Sequence, residues 1–277
     1  MIIEPLAGAL GAEIRGVSLA QADAAAWARI HAAFLEHSVL VFRGQALEPA
    51  DIMEIGARFG PPCEYPFVTG MEGYPHIFEI VKAEDETKNF GGNWHSDTTY
   101  LAQPPLATLL YAVESPAYGG DTLFASTRAA YDALSEGMRT LADKLIGINS
   151  AGLKHSGGRH DLHKNISGMK IHGTESAERY QYEHPVARTH PDTGRKALYV
   201  SRSHTVRFKD MTEEESRPLI DWFQAHQTRP EFTCRVRWTP GTLTVWDNRC
   251  TQHNAINDYH GRRRHMRRLT VGPQKPF

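Results

Sequence analysis

Short apolar runs bounded by turn residues recur along this chain of 277 residues, and they restrict the folds that it can adopt. Such runs are typical of β-strands. We predict strands over residues 39–42, 77–81, 107–113, 121–124, 186–189, 197–200, 232–238, 242–246 and 267–271. Many short strands with few intervening helices favour an antiparallel sandwich or barrel. The sequence therefore predicts a mainly β fold with flanking helices.

Helical periodicity is confined to a few segments. Trp27, Ile30 and Phe34 are spaced as one face of an amphipathic helix within residues 19–37. Further helices are predicted near Pro49, over about 127–145 and over about 213–226. The expected N-terminal caps are Ser126, Ser135 and the capping box Thr212-x-x-Glu215.

Composition and charge exclude several classes of protein. The formal net charge of −1 gives no overall attraction to nucleic acid or to an anionic membrane. We find no apolar run long enough for a membrane span and no signal peptide at the first residues. Cys63, Cys234 and Cys250 lie far apart and form no Cys-x-x-Cys pair. We therefore expect reduced thiols, a cytoplasmic location, no nucleic-acid or membrane partner, and one domain over residues 1–277.

The stretch Asn93-Trp94-His95-Ser96-Asp97 carries the first candidate for chemistry. On a β-strand, His95 and Asp97 would point to the same side because side chains alternate. A distant histidine, His253, could join them. Two histidines and one carboxylate can occupy one face of an octahedral metal ion and leave the opposite face open for chemistry. The chain has 15 histidines, however, so a His-x-Asp triplet can also arise by chance.

Five arginines crowd residues 262–268. A nucleic-acid patch is one interpretation, but no aromatic residues are interleaved with them and the rest of the chain has no basic excess. On a strand, Arg264, Met266 and Arg268 would share one face, from which both guanidinium groups could bind carboxylates. Exposure at a sheet edge is expected for Arg262, Arg263 and Arg267.

The chain resembles the iron(II)- and 2-oxoglutarate-dependent dioxygenases related to taurine dioxygenase and the aryloxyalkanoate dioxygenases. The resemblance rests on the two motifs above and on Gly119-Gly120-Asp121-Thr122, Pro191-x-Thr193-Gly194 and Trp246-Asp247-Asn248-Arg249. It covers nearly the whole chain and implies a double-stranded β-helix, a cupin-like jelly roll. It implies that His95, Asp97 and His253 bind iron(II). It also implies that Thr122 and Arg264 bind 2-oxoglutarate and that Arg268 binds the anionic group of the prime substrate.

The reaction that this resemblance implies is an oxidation by molecular oxygen. A C–H bond of a small anionic substrate (a sulfonate, sulfate ester or carboxylate) would be hydroxylated while 2-oxoglutarate is decarboxylated to succinate. A homo-oligomer, a dimer or tetramer, is expected. Two other classes stay open on the residues alone. One is a non-catalytic jelly-roll protein that senses 2-oxoglutarate or binds a metal. The other is a zinc hydrolase, which the absence of sulfur ligands disfavours.

Three positions depart from the pattern of taurine dioxygenase. Tyr65 stands where a substrate-binding histidine is expected, Gly91 where an asparagine is expected, and His204 where a phenylalanine is expected. Taurine is therefore not the expected substrate. Tyr65 could donate a hydrogen bond to a larger acid and His204 could add a polar contact to the substrate. Plain packing is the alternative for both residues.

Residues from about 152 to 184 are rich in glycine, histidine and polar residues, and they show little periodicity. This pattern predicts a long loop. Its basic residues, including Lys154 and Arg159, suggest an active-site lid whose charge steers an anionic substrate and whose closure excludes water. A solvated loop without such a role is the alternative.

Overall fold

Strands predominate in the computed structural model, which describes residues 1–152 and 168–277. The strands are β1 (Ile2–Pro5), β2 (Ala12–Arg15), β3 (Val39–Phe42), β4 (Ile77–Lys82), β5 (Pro105–Glu114), β6 (Thr122–Ser126), β7 (Ile146–Ser150), β8 (Gln181–Pro185), β9 (Ala187–Thr189), β10 (Lys196–Leu198), β11 (Thr205–Phe208), β12 (Thr233–Val236), β13 (Leu243–Asp247), β14 (Thr251–Ala255) and β15 (Arg264–Pro273). The α-helices are α1 (Ala24–His37), α2 (Pro49–Ala57), α3 (Thr127–Asp132), α4 (Glu136–Lys144) and α5 (Glu213–Gln227). Short 3₁₀ helices cover Leu19–Gln21, Thr174–Arg179 and Pro230–Phe232.

Seven strands form a large sheet in the order β1-β2-β3-β13-β5-β15-β4. Its neighbouring strands are antiparallel, except that β2 and β3 are parallel. One face of this sheet packs against α1 and α2 in a core that includes Trp27, Phe34, Ile55, Leu109 and Val245. The apolar stripe of α1 lies on that face because its bulky residues recur at helical spacing.

A three-stranded sheet, β12-β6-β14, covers the other face of the large sheet. Phe124 and Val236 of the small sheet pack there with Val41, Leu110 and Met266 of the large one. Two packed sheets built from strands distant in sequence form the predicted cupin-like jelly roll. The space between them is where inward side chains can line a site.

The remaining strands form a separate layer. β11-β7-β8 and the hairpin β9-β10 are small antiparallel sheets. They pack with α3 and α5 around a second apolar core that contains Tyr131, Leu198, Phe208, Ile220 and Phe223. The predicted hairpin around residues 191–194 is confirmed by the pairing of β9 with β10.

The caps predicted from the sequence are confirmed. Ser126 and Ser135 each accept a hydrogen bond from a backbone N–H in the first turn of the following helix. Thr212 and Glu215 form both bonds of the capping box at the start of α5. The helix predicted over 19–37 is divided, however, because Asp23 accepts a bond from the Ala26 N–H and begins α1 anew after a 3₁₀ turn.

The loop predicted over about 152–184 was too long. In its described part, a 3₁₀ helix covers Thr174–Arg179 and β8 begins at Gln181. β8 was missed because its first three side chains are exposed and polar, which removes the alternation that marks a strand. Lys154 and Arg159 lie outside the described residues, so the lid stays a prediction.

The face predicted for the arginine cluster is confirmed, since Arg264, Met266 and Arg268 of β15 are all buried. The edge position predicted for Arg267 was wrong. β15 lies between β5 and β4, so it is an inner strand. Arg267 lies 4.0 Å from Glu79 of the neighbouring strand β4. Just before β15, two partly exposed arginines contact neighbours on the surface: Arg263 donates to Glu114, and Arg262 stacks on Tyr118.

No α-helix within residues 1–152 or 168–277 has both the length and the apolar character that a membrane span requires.

The core position of Leu109 generates a stability prediction. Leu109 is fully buried in β5 between β13 and β15. Leu109→Ala is expected to lower the free energy of unfolding by about 2–5 kcal/mol, because it removes buried methyl groups and leaves a cavity. Leu6→Ala, at an exposed position, is expected to change it by less than about 0.5 kcal/mol. Guanidinium denaturation measures both, and equal effects would contradict this assignment of the core.

Candidate active site

The stretch from Asn93 to Asp97 does not form the strand considered above. His95 instead makes an isolated antiparallel bridge with His253 of β14, in which each backbone N–H donates to the carbonyl of the other at 3.1 and 2.9 Å. The chain turns directly afterwards, and Thr98 adopts a positive φ of 44°. The bridge brings the two imidazole rings to a centroid distance of 4.2 Å. Two histidines far apart in the sequence therefore meet without sharing a regular strand.

His95, Asp97 and His253 each direct one ligand atom to a common place. Asp97 Oδ1 lies 3.6 Å from His95 Nε2 and 3.7 Å from His253 Nε2, and the ligand atoms are all within 4.8 Å of one another. His95 Nδ1 is 2.6 Å from the Asn93 carbonyl oxygen, so Nδ1 donates its proton there and Nε2 keeps a lone pair. Atoms at this spacing can all contact one ion with bonds of about 2.1 Å. These residues could hold a metal.

Asp97 is only 2% exposed, and groups that stabilise its charge surround it. Burial raises the pKa of its carboxyl group, but the positive charge of Arg268, the neighbouring imidazoles of His253 and His95 and a hydrogen bond from Thr108 hold that pKa below its usual value. Arg268 Nη2 lies 2.5 Å from Oδ1, and Thr108 Oγ1 lies 2.6 Å from Oδ2. Burial and the neighbouring His95 lower the pKa of His253 well below its usual value. Carboxylate and neutral imidazole are the forms that bind metals.

A cavity of about 420 Å³, open solvent at its mouth included, borders both imidazoles, and Thr122, Arg264 and Arg268 also line it. Trp238 Nε1 donates to Thr122 Oγ1 at 3.0 Å, so the hydroxyl proton of Thr122 remains for a different acceptor. Arg264 is buried, and among the described residues its Nε and Nη2 meet no hydrogen-bond acceptor. A buried cation with unused donors fits a carboxylate ligand.

Comparisons with known proteins agree with this arrangement. Residues 2–270 match the family model described as taurine catabolism dioxygenase TauD, TfdA family. The chain belongs to the TauD/TfdA family. An alpha-ketoglutarate-dependent sulfate ester dioxygenase of Pseudomonas putida is 36% identical over 284 residues, which cover 99% of this chain and 90% of the relative. An alkylsulfatase of Acinetobacter baylyi is 34% identical over 274 residues, 97% of this chain and 84% of the relative. The crystal structure of a taurine dioxygenase from Burkholderia xenovorans superimposes with a TM-score of 0.83 at 32% identity, covering 99% of this chain and 90% of the other.

This member of the TauD/TfdA family is an enzyme, a 2-oxoglutarate-dependent dioxygenase that uses iron(II) and molecular oxygen. Its side chains fit both iron(II) and 2-oxoglutarate. Two imidazoles and a carboxylate converge where a metal can bind, and Arg264 offers unused donors in the same cavity. The relatives give no support to the non-catalytic alternative.

Tyr65 lies beside Arg268 without bordering the cavity itself. The Arg268 guanidinium carbon is 5.9 Å from the centroid of the Tyr65 ring, and this ring packs on Phe78 at 5.2 Å and on Phe90 at 6.4 Å. Tyr65 therefore extends an aromatic surface next to a cation.

His204 lies behind His95. Its ring meets the His95 ring edge-on at 5.8 Å, and its Nδ1 is 3.0 Å from Thr99 Oγ1. It is buried and does not border the cavity. Gly91, the third position expected to differ from taurine dioxygenase, does border the cavity, and a Cβ at this position would lie 3.5 Å from His95 Cε1.

Sequence reasoning missed Thr108 and Trp238, which contact the predicted site residues Asp97 and Thr122. The available signal for Thr108 was a hydroxyl side chain inside the apolar run 107–113. A buried hydroxyl group needs a hydrogen-bond partner, so it marks a place where a polar network crosses the core.

A second cluster, His190, Asp247 and Cys250, also has atoms spaced closely enough for a metal. Its carboxylate is already occupied. Arg249 donates to Asp247 through Nε at 2.9 Å and Nη2 at 2.7 Å, and His190 Nε2 lies 3.0 Å from it. Arg249 also donates to Asp192 in the β9-β10 turn at 2.6 Å. This cluster is an ion-pair network that ties the hairpin to β13.

Removing the shared carboxylate tests the metal site. Asp97→Ala is expected to abolish iron(II) binding, because it removes the only charged ligand atom between the two imidazoles. His260→Ala, at an exposed histidine, is the matched control and should bind iron as the parent protein does. Anaerobic iron titration followed by metal analysis of the desalted protein measures both. Full iron retention by Asp97→Ala would contradict the site.

Proposed function

We propose that this dioxygenase oxidises small organic sulfate esters that carry an apolar chain. The observation that carries the proposal is a buried guanidinium group, that of Arg268, at a cavity with aromatic surroundings. Its central carbon lies 5.4 Å from the Phe78 ring centroid and 5.9 Å from that of Tyr65. The names of two relatives, a sulfate ester dioxygenase and an alkylsulfatase, support the same substrate class.

Apolar side chains near Arg268 suit the rest of such a substrate. Val68, Phe78 and Met169 form a buried cluster, and Tyr65, Ile80, Phe90 and Ile171 pack against it. Ile80 and Phe90 also border the cavity. An alkyl or aryl group bound here would remove apolar surface from water, at about 25 cal/mol per Å². Taurine would instead bring an ammonium group to these apolar walls, where burial of a charge is costly. This contrast favours an apolar sulfate ester over taurine.

In this proposal His95, Asp97 and His253 hold iron(II), and Thr122 and Arg264 hold the distal carboxylate of 2-oxoglutarate. Bound iron supplies the activation of oxygen. Arg268 holds the sulfate group of the substrate, because the planar guanidinium fork matches two oxygens of an oxyanion. Fixing the sulfate fixes the adjacent C–H bond in the cavity, and the apolar walls keep water from it.

The proposed reaction balances. One atom of O₂ is inserted into the C–H bond next to the ester oxygen, and the other enters succinate as 2-oxoglutarate loses carbon dioxide. The hydroxylated carbon then carries both a hydroxyl group and the sulfate. Its C–O bond to sulfate breaks, the hydroxyl proton leaves with the sulfate, and an aldehyde remains.

Four further expectations accompany this proposal. Tyr65, which does not border the cavity, acts on substrate binding through its contact with the Arg268 guanidinium group, and His204 acts through its contact with His95. Cys63, Cys234 and Cys250 are free and buried, which fits a reducing compartment, so we place the enzyme in the cytoplasm. We also expect a homo-oligomer.

Succinate formation tests the substrate class. With iron(II), 2-oxoglutarate and oxygen, a medium-chain alkyl sulfate should raise succinate production above the substrate-free background and release an equal amount of sulfate. Taurine should raise it far less. Stimulation by taurine or by an aryloxyalkanoate, with none by alkyl sulfates, would contradict the proposed substrate. If no succinate forms with any of these compounds or in the substrate-free background, the oxygenase activity of this chain is contradicted.

The two buried arginines should have separable effects. Arg268→Ala is expected to raise the KM for the alkyl sulfate by about 10–100-fold and that for 2-oxoglutarate much less, because one charged contact to sulfate is lost. Arg264→Ala should do the reverse. Arg263→Ala, at a surface contact with Glu114, should change neither. Saturating iron is required because Arg268 also touches Asp97. The opposite ordering of KM values would refute this division of roles.

A further inference from the structure

The two carboxylate oxygens of Asp97 have different surroundings. Oδ1 faces His95, His253 and Arg268. Oδ2 accepts a hydrogen bond from Thr108 Oγ1 at 2.6 Å. Thr108 is fully buried in β5, on the face of the large sheet that points toward the small sheet. One oxygen of the candidate metal ligand is therefore occupied by a residue of the core.

Thr108 has a second partner, Asn248, which follows β13. Asn248 Nδ2 lies 2.8 Å from Thr108 Oγ1. Asn248 Oδ1 lies 3.0 Å from Trp246 Nε1 and 3.4 Å from the Asp97 backbone nitrogen. Both of these nitrogens can only donate, so they require the oxygen of the Asn248 amide on their side. The amide nitrogen must then face Thr108.

These contacts fix the direction of each hydrogen bond in the series from Trp246 to Asp97. Because Asn248 donates to the Thr108 oxygen, the single hydroxyl proton of Thr108 is directed to Asp97 Oδ2. The indole N–H of Trp246 sets the order at the far end. Each donor has one acceptor, and none of these groups can reverse without leaving a buried polar atom unpaired.

We propose that Thr108 and Asn248 are positioning residues that make Asp97 a single-oxygen metal ligand. The inference rests on the proposed iron site. Carboxylates can bind a metal through one oxygen or through both. A bond that holds Oδ2 toward β5 leaves only Oδ1 for the metal, and it preserves the open positions that 2-oxoglutarate and oxygen require. The network thus protects vacant coordination positions as well as ligand orientation.

A merely structural role for the Thr108 hydroxyl has a different signature. In that case its loss would lower the stability of the protein but leave the affinity for iron unchanged once the protein is folded. The chain offers a matched control in Thr244 of β13, which is also fully buried and whose Oγ1 meets no hydrogen-bond partner within the described residues.

The test compares Thr108→Val, Thr108→Ser and Thr244→Val with the parent protein, after circular dichroism confirms that each is folded. Iron(II) affinity is measured by anaerobic calorimetry. Thr108→Val is expected to bind iron about 10–100-fold more weakly, as is common when a group that orients a metal ligand is lost. Thr108→Ser should restore most of the affinity, and Thr244→Val should leave it unchanged.

A spectroscopic readout separates single-oxygen from two-oxygen binding. The visible charge-transfer absorption of the anaerobic complex of protein, iron(II) and 2-oxoglutarate is recorded at saturating iron. It should be weaker in Thr108→Val, because a freed Oδ2 competes with 2-oxoglutarate for the metal. If Thr108→Val matches the parent protein in both affinity and absorption, the proposal is wrong.

If Thr108→Val does not fold, Thr108→Ala replaces it, since this change also removes the hydroxyl group and adds no larger one. Reduced iron affinity in Thr108→Ala would support the network, and unchanged affinity would overturn it. If Asp97→Ala itself binds iron as the parent protein does, the iron site fails, and that result is distinct from failure of the Thr108 network.

Discussion

A buried carboxylate, that of Asp97, is the constraint around which the interior of this protein is arranged. A charge removed from water is tolerated only when nearby groups compensate it and its oxygens are hydrogen-bonded. The compensating groups come from separate parts of the chain: Arg268 from β15, Thr108 from β5, His253 from β14 and His95 from the bridge beside it. Stabilising this one carboxylate therefore requires that the large sheet, the small sheet and the His95 turn come together.

Strand alternation lets the large sheet support both the core and the chemistry. In β5, Thr108 faces the small sheet, whereas its neighbour Leu109 packs toward α1 and α2. In β15, Arg268 borders the cavity, Met266 packs in the core between the two sheets, and Leu269 joins the helix-side core. Because the period is two residues, a single strand can bury leucine on one side and aim a cation from the other. The strands that form the core therefore also fix the positions of the site residues.

This periodicity also explains what the sequence could predict. The inward face of β15 could be predicted because the alternation of side chains is a local property. The family could be identified because several motifs occur in the expected order. The family resemblance implied that His95 and His253 meet, but the backbone bridge that joins them could not be predicted, because an isolated bridge between distant segments has no local pattern. The hydrogen bond from Thr108 to Asp97 was hidden for the same reason: its meaning depends on which strand lies alongside. Polar edge strands such as β8 escaped because exposed side chains remove the apolar signal.

In the proposed reaction, one cavity binds two anions, 2-oxoglutarate and an alkyl sulfate, and a guanidinium group binds each of them. The neighbours of each guanidinium decide between them. Arg264 lies beside the hydroxyl of Thr122 and 5.6 Å from the ring of Trp238, so an additional polar donor is at hand. Arg268 lies among apolar rings such as that of Phe78. 2-Oxoglutarate placed at Arg268 would bring its second charged end against these apolar rings, which is costly. An alkyl sulfate placed at Arg264 would lose the burial of its chain. In the proposed reaction, selectivity thus follows from what surrounds each arginine rather than from the arginines themselves.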